Sequence, residues 1–363
     1  MDSETSMQIP ALQISSDFAS IGNMSSYINS VSTFSDKEFD LLSTIRYDPS
    51  LAARNSKFHD NLNFEAQNLE LTSPTDILST LLIPDSENTM FLSTHDKLNE
   101  DELLDVYFYR FMLLGEHLKR IQFSLKYFGW TDFMVDLTCL MELLIKALPV
   151  FNPDNKDLGL KDRMIQMLKR HECYKMRVLI NKRGEIRCEA HIIASPPLTN
   201  KINSKSSNYF LNNLLIGFLD EAPTYTVYIY DTQITPTCFT SFKTTNRAHY
   251  NEARKQMQHL HIGKNDPSEI LLFNTSGELM EGSITNVFIR TYIGDKWFYT
   301  TPALSSGCLC GVMRNFLVSK RVVTENKKIN IHQLKDGDEI LLSNGIIGLV
   351  KGRIVKPDTF RLK

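Results

Sequence analysis

The chain has 363 residues, 42% of them hydrophobic and 23% charged, with a net charge of −2. That length and mixture suit a globular protein of two domains with ample core material. The small net charge gives no general pull towards nucleic acid or a membrane surface, and no apolar run is long enough to span a bilayer.

Residues 1–38, rich in Ser and Thr, are expected to form a flexible N-terminus. Residues 39–47 read as the first strand, stopped by Asp48-Pro49. Residues from about 50 to 100, broken by Pro74 and Pro84, read as a surface insertion. Residues 101–130 carry one long helical pattern: Leu104, Phe108, Phe111, Leu114, Leu118 and Ile121 recur at steps of three and four, and Gly129 marks the end. A second helix is expected over about 132–147 with Thr131 as its N-cap, and a third over about 161–170. Residues 174–181 and 185–193 read as a hairpin around Lys182-Arg183-Gly184. Pro196-Pro197 and the polar residues that follow mark a linker at 197–208, which separates a smaller α/β domain at 39–196 from a larger one at 209–363.

In the second half, residues 225–230 and 239–244 read as strands. A helix over 246–262 carries Tyr250, Ala253, Met257 and Leu260 on one face. Strands follow at 269–274, 286–290 and 297–301, then a helix at 311–320 and a hairpin at 339–351 turning through Asn344-Gly345. Six cysteines (Cys139, Cys173, Cys188, Cys238, Cys308 and Cys310) are scattered, and the C-x-C pair lacks a second pair to complete a zinc site. Reduced thiols in a cytoplasmic protein without a metal are expected, and the acidic start Met1-Asp2-Ser3-Glu4-Thr5 is unlike a signal peptide.

Three short stretches carry chemistry. The first, Thr240-Ser241-Phe242-Lys243-Thr244-Thr245-Asn246-Arg247, places one lysine after an apolar residue. Burial there lowers a lysine's pKa and makes its amine a nucleophile; taken alone, Lys243 reads first as a surface lysine. Glu281, in Met280-Glu281-Gly282, could pair with a protonated ring nitrogen, or be an exposed hairpin glutamate. Ser283, Thr285 and the backbone at Ile284 offer donors in a tight loop. Gly311-Val312-Met313 opens a helix, whose N-terminus favours a phosphate, although such glycines are also ordinary cap residues. Arg120, on the long helix, is suited to a phosphate or to solvent.

In this order and spacing, SFKTTNRAHYNEAR, ELMEGSITNVFI and TPALSSGCLCGVMR resemble the fold-type IV family of pyridoxal 5′-phosphate (PLP) enzymes. That family holds branched-chain aminotransferases, D-amino acid aminotransferases and 4-amino-4-deoxychorismate lyases. The likeness covers residues 39–48, 110–128 and 174–355 and is nearest to the fungal lyases. It implies an α/β (α+β) fold of two domains with PLP at their interface, a homodimer, and 4-aminobenzoate synthesis for folate. Residue by residue, Lys243 matches the lysine that bonds the cofactor and Glu281 the acid beside the ring nitrogen. Arg120 matches the phosphate-binding arginine, and Ile284, Thr285, Val312 and Met313 match the segments around the phosphate, with Ser283 and Gly311 beside them. Asn344 stands where relatives place a polar or small residue near cofactor and substrate. Arg46, Tyr47 and Arg177 are candidates for the substrate carboxylates. One departure is notable: branched-chain aminotransferases place a tyrosine five residues after the lysine, where this chain has Ala248, and Tyr250 lies seven residues on. That argues against branched-chain activity.

The resemblance implies a lyase that converts 4-amino-4-deoxychorismate to 4-aminobenzoate and pyruvate. An aminotransferase on the same fold, or a non-catalytic relative, remains open on the sequence alone.

Overall fold

A computed structural model describes residues 38–52, 99–149, 158–168, 170–193, 214–218, 224–293 and 296–357. Residues 1–37 of the expected N-terminal arm, residues 53–98 of the insertion expected at about 50–100, and the linker at 197–208 lie outside the described residues; Pro49–Ala52 forms a short helix.

Two sheets organise the chain. The smaller has the order β1 (Leu41–Tyr47), β2 (Cys173–Ile180), β3 (Ile186–Ile193), all antiparallel. The expected hairpin between β2 and β3 forms, with Gly184 at φ +83° and the Asn181 side chain accepting from the N–H groups of Arg183 and Glu185. Period-two alternation sends Ile45 and Tyr47 of β1 and Met176 and Val178 of β2 into one apolar core. That core is closed by helices α1 (Glu100–Arg110), α2 (Leu114–Tyr127), α3 (Leu137–Ala147) and α4 (Leu160–Leu168).

The long helix expected over 101–130 is two helices. The apolar period runs on in phase through the break, but Phe111 is extended (φ −93°, ψ 110°) and bridges to Tyr47. Met112 N–H donates to Arg46 O at 2.9 Å, and Asp48 N–H to Arg110 O at 2.8 Å. The free edge of β1 thus captures three residues from the helix. Leu113 turns the chain back in the left-handed region (φ 52°), which costs about 1–2 kcal/mol for a residue with a side chain. Helix α3 begins at Leu137, later than expected, because Asp136 and not Thr131 is its cap: Asp136 Oδ1 accepts from Cys139 N–H at 2.7 Å.

The larger sheet has eight strands in the order β6, β5, β4, β11, β10, β7, β8, β9. They are β4 (Thr224–Ile229), β5 (Ser268–Phe273), β6 (Leu279–Gly282), β7 (Asn286–Ile293), β8 (Lys296–Pro302), β9 (Thr324–Asn326), β10 (Glu339–Asn344) and β11 (Gly348–Ile354). The sheet is mixed: β4 runs parallel to both β5 and β11, and β8 to β9, while the other neighbours are antiparallel. Both faces are apolar. Val287, Ile340, Leu342 and Val350 enter one core, and Phe288, Leu341 and Leu349 enter another with Met313, Phe316 and Leu317 of helix α6 (Val312–Ser319). Helix α5 (Ala248–Leu260) lies against β5. Asn315 of α6 donates to Glu116 of α2 at 2.8 Å and ties the layer around the smaller sheet to the larger one.

Candidate active site

The stretch expected as a strand at 239–244 begins as a turn of helix, Cys238–Ser241. Thr237 and Thr240 cap it reciprocally, and this local capping overrides the β-branched and aromatic composition. Phe242 then returns to extended geometry (φ −110°, ψ 142°), with its ring stacked 4.2 Å from Tyr127 and 5.6 Å from Phe123. Leu42 N–H donates to Lys243 O at 2.9 Å, and Thr245 N–H to Asp40 O at 2.9 Å. Lys243 is therefore fixed on both sides by the start of β1.

Lys243 lines a cavity of about 440 Å³, within the usual range for a small-molecule site. Its accessible part is the cavity wall that it forms. Desolvation, with Arg247 and Arg120 nearby, lowers its amine from 10.5 to about 7, and Glu281 acts weakly in the opposite direction. Near neutral pH the amine is then neutral for part of the population, as a nucleophile or proton carrier requires.

Glu281, on β6 and 3% exposed, faces the same cavity. Burial raises its carboxyl to about 7, opposed by a hydrogen bond from Tyr250 Oη at 2.5 Å and by the Leu309 backbone N–H. A cationic ring nitrogen brought beside it would restore the carboxylate.

The loop after Glu281 is organised from behind. Glu269 of β5, 1% exposed, accepts from Ser283 N–H (3.0 Å) and Oγ (2.5 Å), Ile284 N–H (3.2 Å) and Thr285 Oγ1 (2.8 Å). The hydroxyls of Ser283 and Thr285, expected as phosphate donors, are thus engaged by a carboxylate. These bonds hold the loop to β5, and both residues still line the cavity. Gly282 is required there, since a Cβ would lie 2.3 Å from Thr285 Oγ1 and 2.8 Å from the Glu269 carboxylate. Asn344 accepts from the N–H groups of Ile346 and Ile347 and donates to Ile284 O at 3.1 Å, joining the β10–β11 turn to this loop.

A phosphate fits at another part of the wall. Arg120 is 8% exposed, donates to Ser43 Oγ at 3.1 Å, and has no carboxylate partner among the described residues. Burial lowers its pKa to about 10. His117 holds Ser43 Oγ through Nδ1 at 2.8 Å, leaving a buried Nε2 without a partner; Ser343 Oγ is likewise unpartnered. Burial, Arg120 and Lys243 keep His117 neutral, so it presents a dipole and not a charge. Gly311 and Val312 bring the start of α6 to the same wall, and a Cβ on Gly345 would crowd His117 Nε2 and Val312 at 3.1 Å. A lone buried cation, two orphaned polar atoms and a helix N-terminus are the groups an anion would satisfy.

Of the residues named from sequence, Lys243, Glu281, Arg120, Ser283, Ile284, Thr285, Gly311, Val312 and Asn344 line this one cavity. Met313 does not; its side chain packs in the core beside Phe316, leaving its backbone at the helix start. Arg46, Tyr47 and Arg177 do not line it either. Arg46 is salt-bridged to Asp48 at 2.7 Å, Tyr47 is fully buried against Arg110, and Arg177 pairs with Glu189 at 3.2 Å. The sequence reasoning missed His117, Lys175, Arg247 and Arg254, which do line the cavity. The signal for the arginines was their spacing: Arg247 at the N-cap of α5, then Asn251 and Arg254 within it, follow at steps of four and three, and all three are in the wall.

The family model described as amino-transferase class IV matches residues 102–355. The chain is 34% identical over 353 residues to the aminodeoxychorismate lyase of Saccharomyces cerevisiae, covering 87% of this chain and 92% of that one. It is 31% identical over 162 residues to a provisionally named aminodeoxychorismate lyase of Schizosaccharomyces pombe, covering 43% of this chain and 66% of that one. Among solved structures, a provisionally named amino-acid aminotransferase from Mesorhizobium loti superposes with a TM-score of 0.51 at 19% identity, over 88% of this chain and all of that one.

Proposed function

The chain belongs to the class IV aminotransferase family, whose enzymes use PLP, and within it we propose that this protein is an aminodeoxychorismate lyase. It converts 4-amino-4-deoxychorismate to 4-aminobenzoate and pyruvate. The observation that carries the reading is Lys243, its amine lowered by burial, and a buried Glu281 facing one cation-rich cavity, in a chain similar over most of its length to a lyase of that name.

When bound, PLP supplies a ring that accepts the charge developing on the carbon bearing the substrate nitrogen. Lys243 would hold the cofactor's aldehyde carbon, and its Nζ is placed to take the proton from the carbon that bears the substrate nitrogen. It then gives a proton to the departing enolpyruvyl group. Glu281 would pair with the ring nitrogen and keep that nitrogen protonated. Arg120, the His117 Nε2 and the backbone at the start of α6 would hold the phosphate. The substrate carries two carboxylates, and Lys175, Arg247 and Arg254 provide positive charge in the same cavity to receive them. A homodimer in the cytoplasm belongs to the same reading.

Purified protein loaded with PLP and given 4-amino-4-deoxychorismate tests the proposal. Pyruvate and 4-aminobenzoate in equal amounts support it. A keto acid formed from an amino-acid donor, with neither product from this substrate, would replace it with an aminotransferase.

A further inference from the structure

Tyr250 is 7% exposed, and its hydroxyl has two oxygens within reach. Glu281 Oε1 is at 2.5 Å and Thr240 O at 3.4 Å. A phenol has one hydrogen, and the much shorter contact, to a carboxylate, takes it. The ring cannot easily turn away: the Arg247 guanidinium lies 4.8 Å from its centroid, and the His249 ring lies 4.1 Å off.

We propose that Tyr250 is a positioning residue for Glu281, one whose hydroxyl occupies Oε1 and reserves the carboxylate, in its charged form, for the ring nitrogen of PLP. This rests on the PLP reading of the site above. The physical argument is one of proton sharing. A carboxylate beside a pyridinium can remain an ion pair, or take the proton and leave two neutral groups. In a buried site desolvation favours the neutral pair. A donor on the carboxylate stabilises only the charged form and tips the balance back. Burial and the neighbouring carboxylate hold the Tyr250 hydroxyl protonated far above neutral pH, so it stays a donor throughout the working range. The sequence gives a reason for the device. This chain has Ala248 five residues after Lys243, and the tyrosine stands one half-turn further along α5, where it reaches the acid.

The test compares wild type, Tyr250→Phe, Glu281→Gln and the double variant. PLP is first trapped by borohydride and located by mass spectrometry. No label on Lys243 in the wild type overturns both this proposal and the reading on which it rests. With the label there, the ring nitrogen is followed by NMR of 15N-labelled PLP across pH. In Tyr250→Phe its deprotonation should fall by about one pH unit, the effect of losing one hydrogen bond to a charged group. The value of kcat should fall about tenfold with KM changed less than twofold. In the Glu281→Gln background, removing the hydroxyl should cost markedly less. A nitrogen titration in Tyr250→Phe that matches wild type overturns the Tyr250 proposal alone, whatever happens to kcat. A full, undiminished loss in the Glu281→Gln background does the same, as does, where Tyr250→Phe alone fails to fold, a double variant whose ring nitrogen titrates about one pH unit away from that of Glu281→Gln.

Discussion

An amine and a carboxyl, both displaced towards neutrality by burial, give position-specific predictions. Lys243→Ala should abolish formation of 4-aminobenzoate, a loss of at least about a thousandfold for a residue that serves as nucleophile and proton carrier. Circular dichroism should remain that of the wild type, because the backbone of residue 243 and not its side chain makes the local hydrogen bonds. Glu281 makes a prediction about the apoprotein. Its carboxyl is raised from 4.5 to about 7, so the folded state holds a proton that the unfolded state gives up between those values. Stability from this group is therefore full below pH 4.5 and lost as pH rises to about 7, on the order of a few kcal/mol. Glu281→Gln should flatten that part of the melting-temperature curve; a curve with the wild-type slope would count against the buried carboxyl. At this scale the sequence was informative through the order and spacing of three short stretches, which single out Lys243 and Glu281 where neither residue does so alone. It was uninformative where a partner is remote. Nothing near Ser283 or Thr285 shows that Glu269, on another strand, engages their hydroxyls. Arg46 is suited to a carboxylate by type, but the chain supplies its own in Asp48, two residues on.

Local signals decided the elements unequally. The hairpin at 182–184 and the helix over α5 follow from turn chemistry and apolar period, which act within a few residues and can be read there. The break at Phe111–Leu113 could not be read, since its cause is the edge of β1 more than sixty residues earlier in the chain. The start of α6 offers a test of an element's role. Gly311 precedes the helix with no room for a side chain: a Cβ would lie 1.9 Å from Asn286 Oδ1, and Asn286 in turn holds Leu309 O at 2.8 Å. Gly311→Ala should displace the helix start, weaken PLP binding at least about tenfold and lower stability by about 1–3 kcal/mol. Fluorescence titration with PLP and thermal melting measure both. An unchanged affinity would mean that α6 does not hold the phosphate.

For the molecule as a whole, the cavity draws on both layers. Arg120 and His117 come from the layer around the smaller sheet, and Glu281 and the α6 start from the larger. A ligand bridging them should act as a staple. PLP at about one hundred times its dissociation constant should stabilise the fold by about 2.7 kcal/mol, with a melting temperature that climbs with concentration. Arg120→Ala should blunt that climb. A melting temperature indifferent to PLP would argue against one ligand spanning the layers. The mixed α/β class was legible because the hydrophobic pattern changes period along the chain. Which faces would meet was not, because the meeting depends on contacts such as Asn315 with Glu116, 199 positions apart.

The seam between residues 40–42 and 243–245 has a consequence for motion. By chain order Lys243 belongs with the larger sheet, yet its main chain is sewn to the margin of the smaller one. Any swing of one layer past the other must carry the reactive amine with β1, so this seam is an axle and not a doorway. Traffic in and out must use some other part of the rim, such as that marked by exposed Ile284. Deuterium uptake at the amides of Leu42 and Thr245 should be as slow as in the middle of a strand.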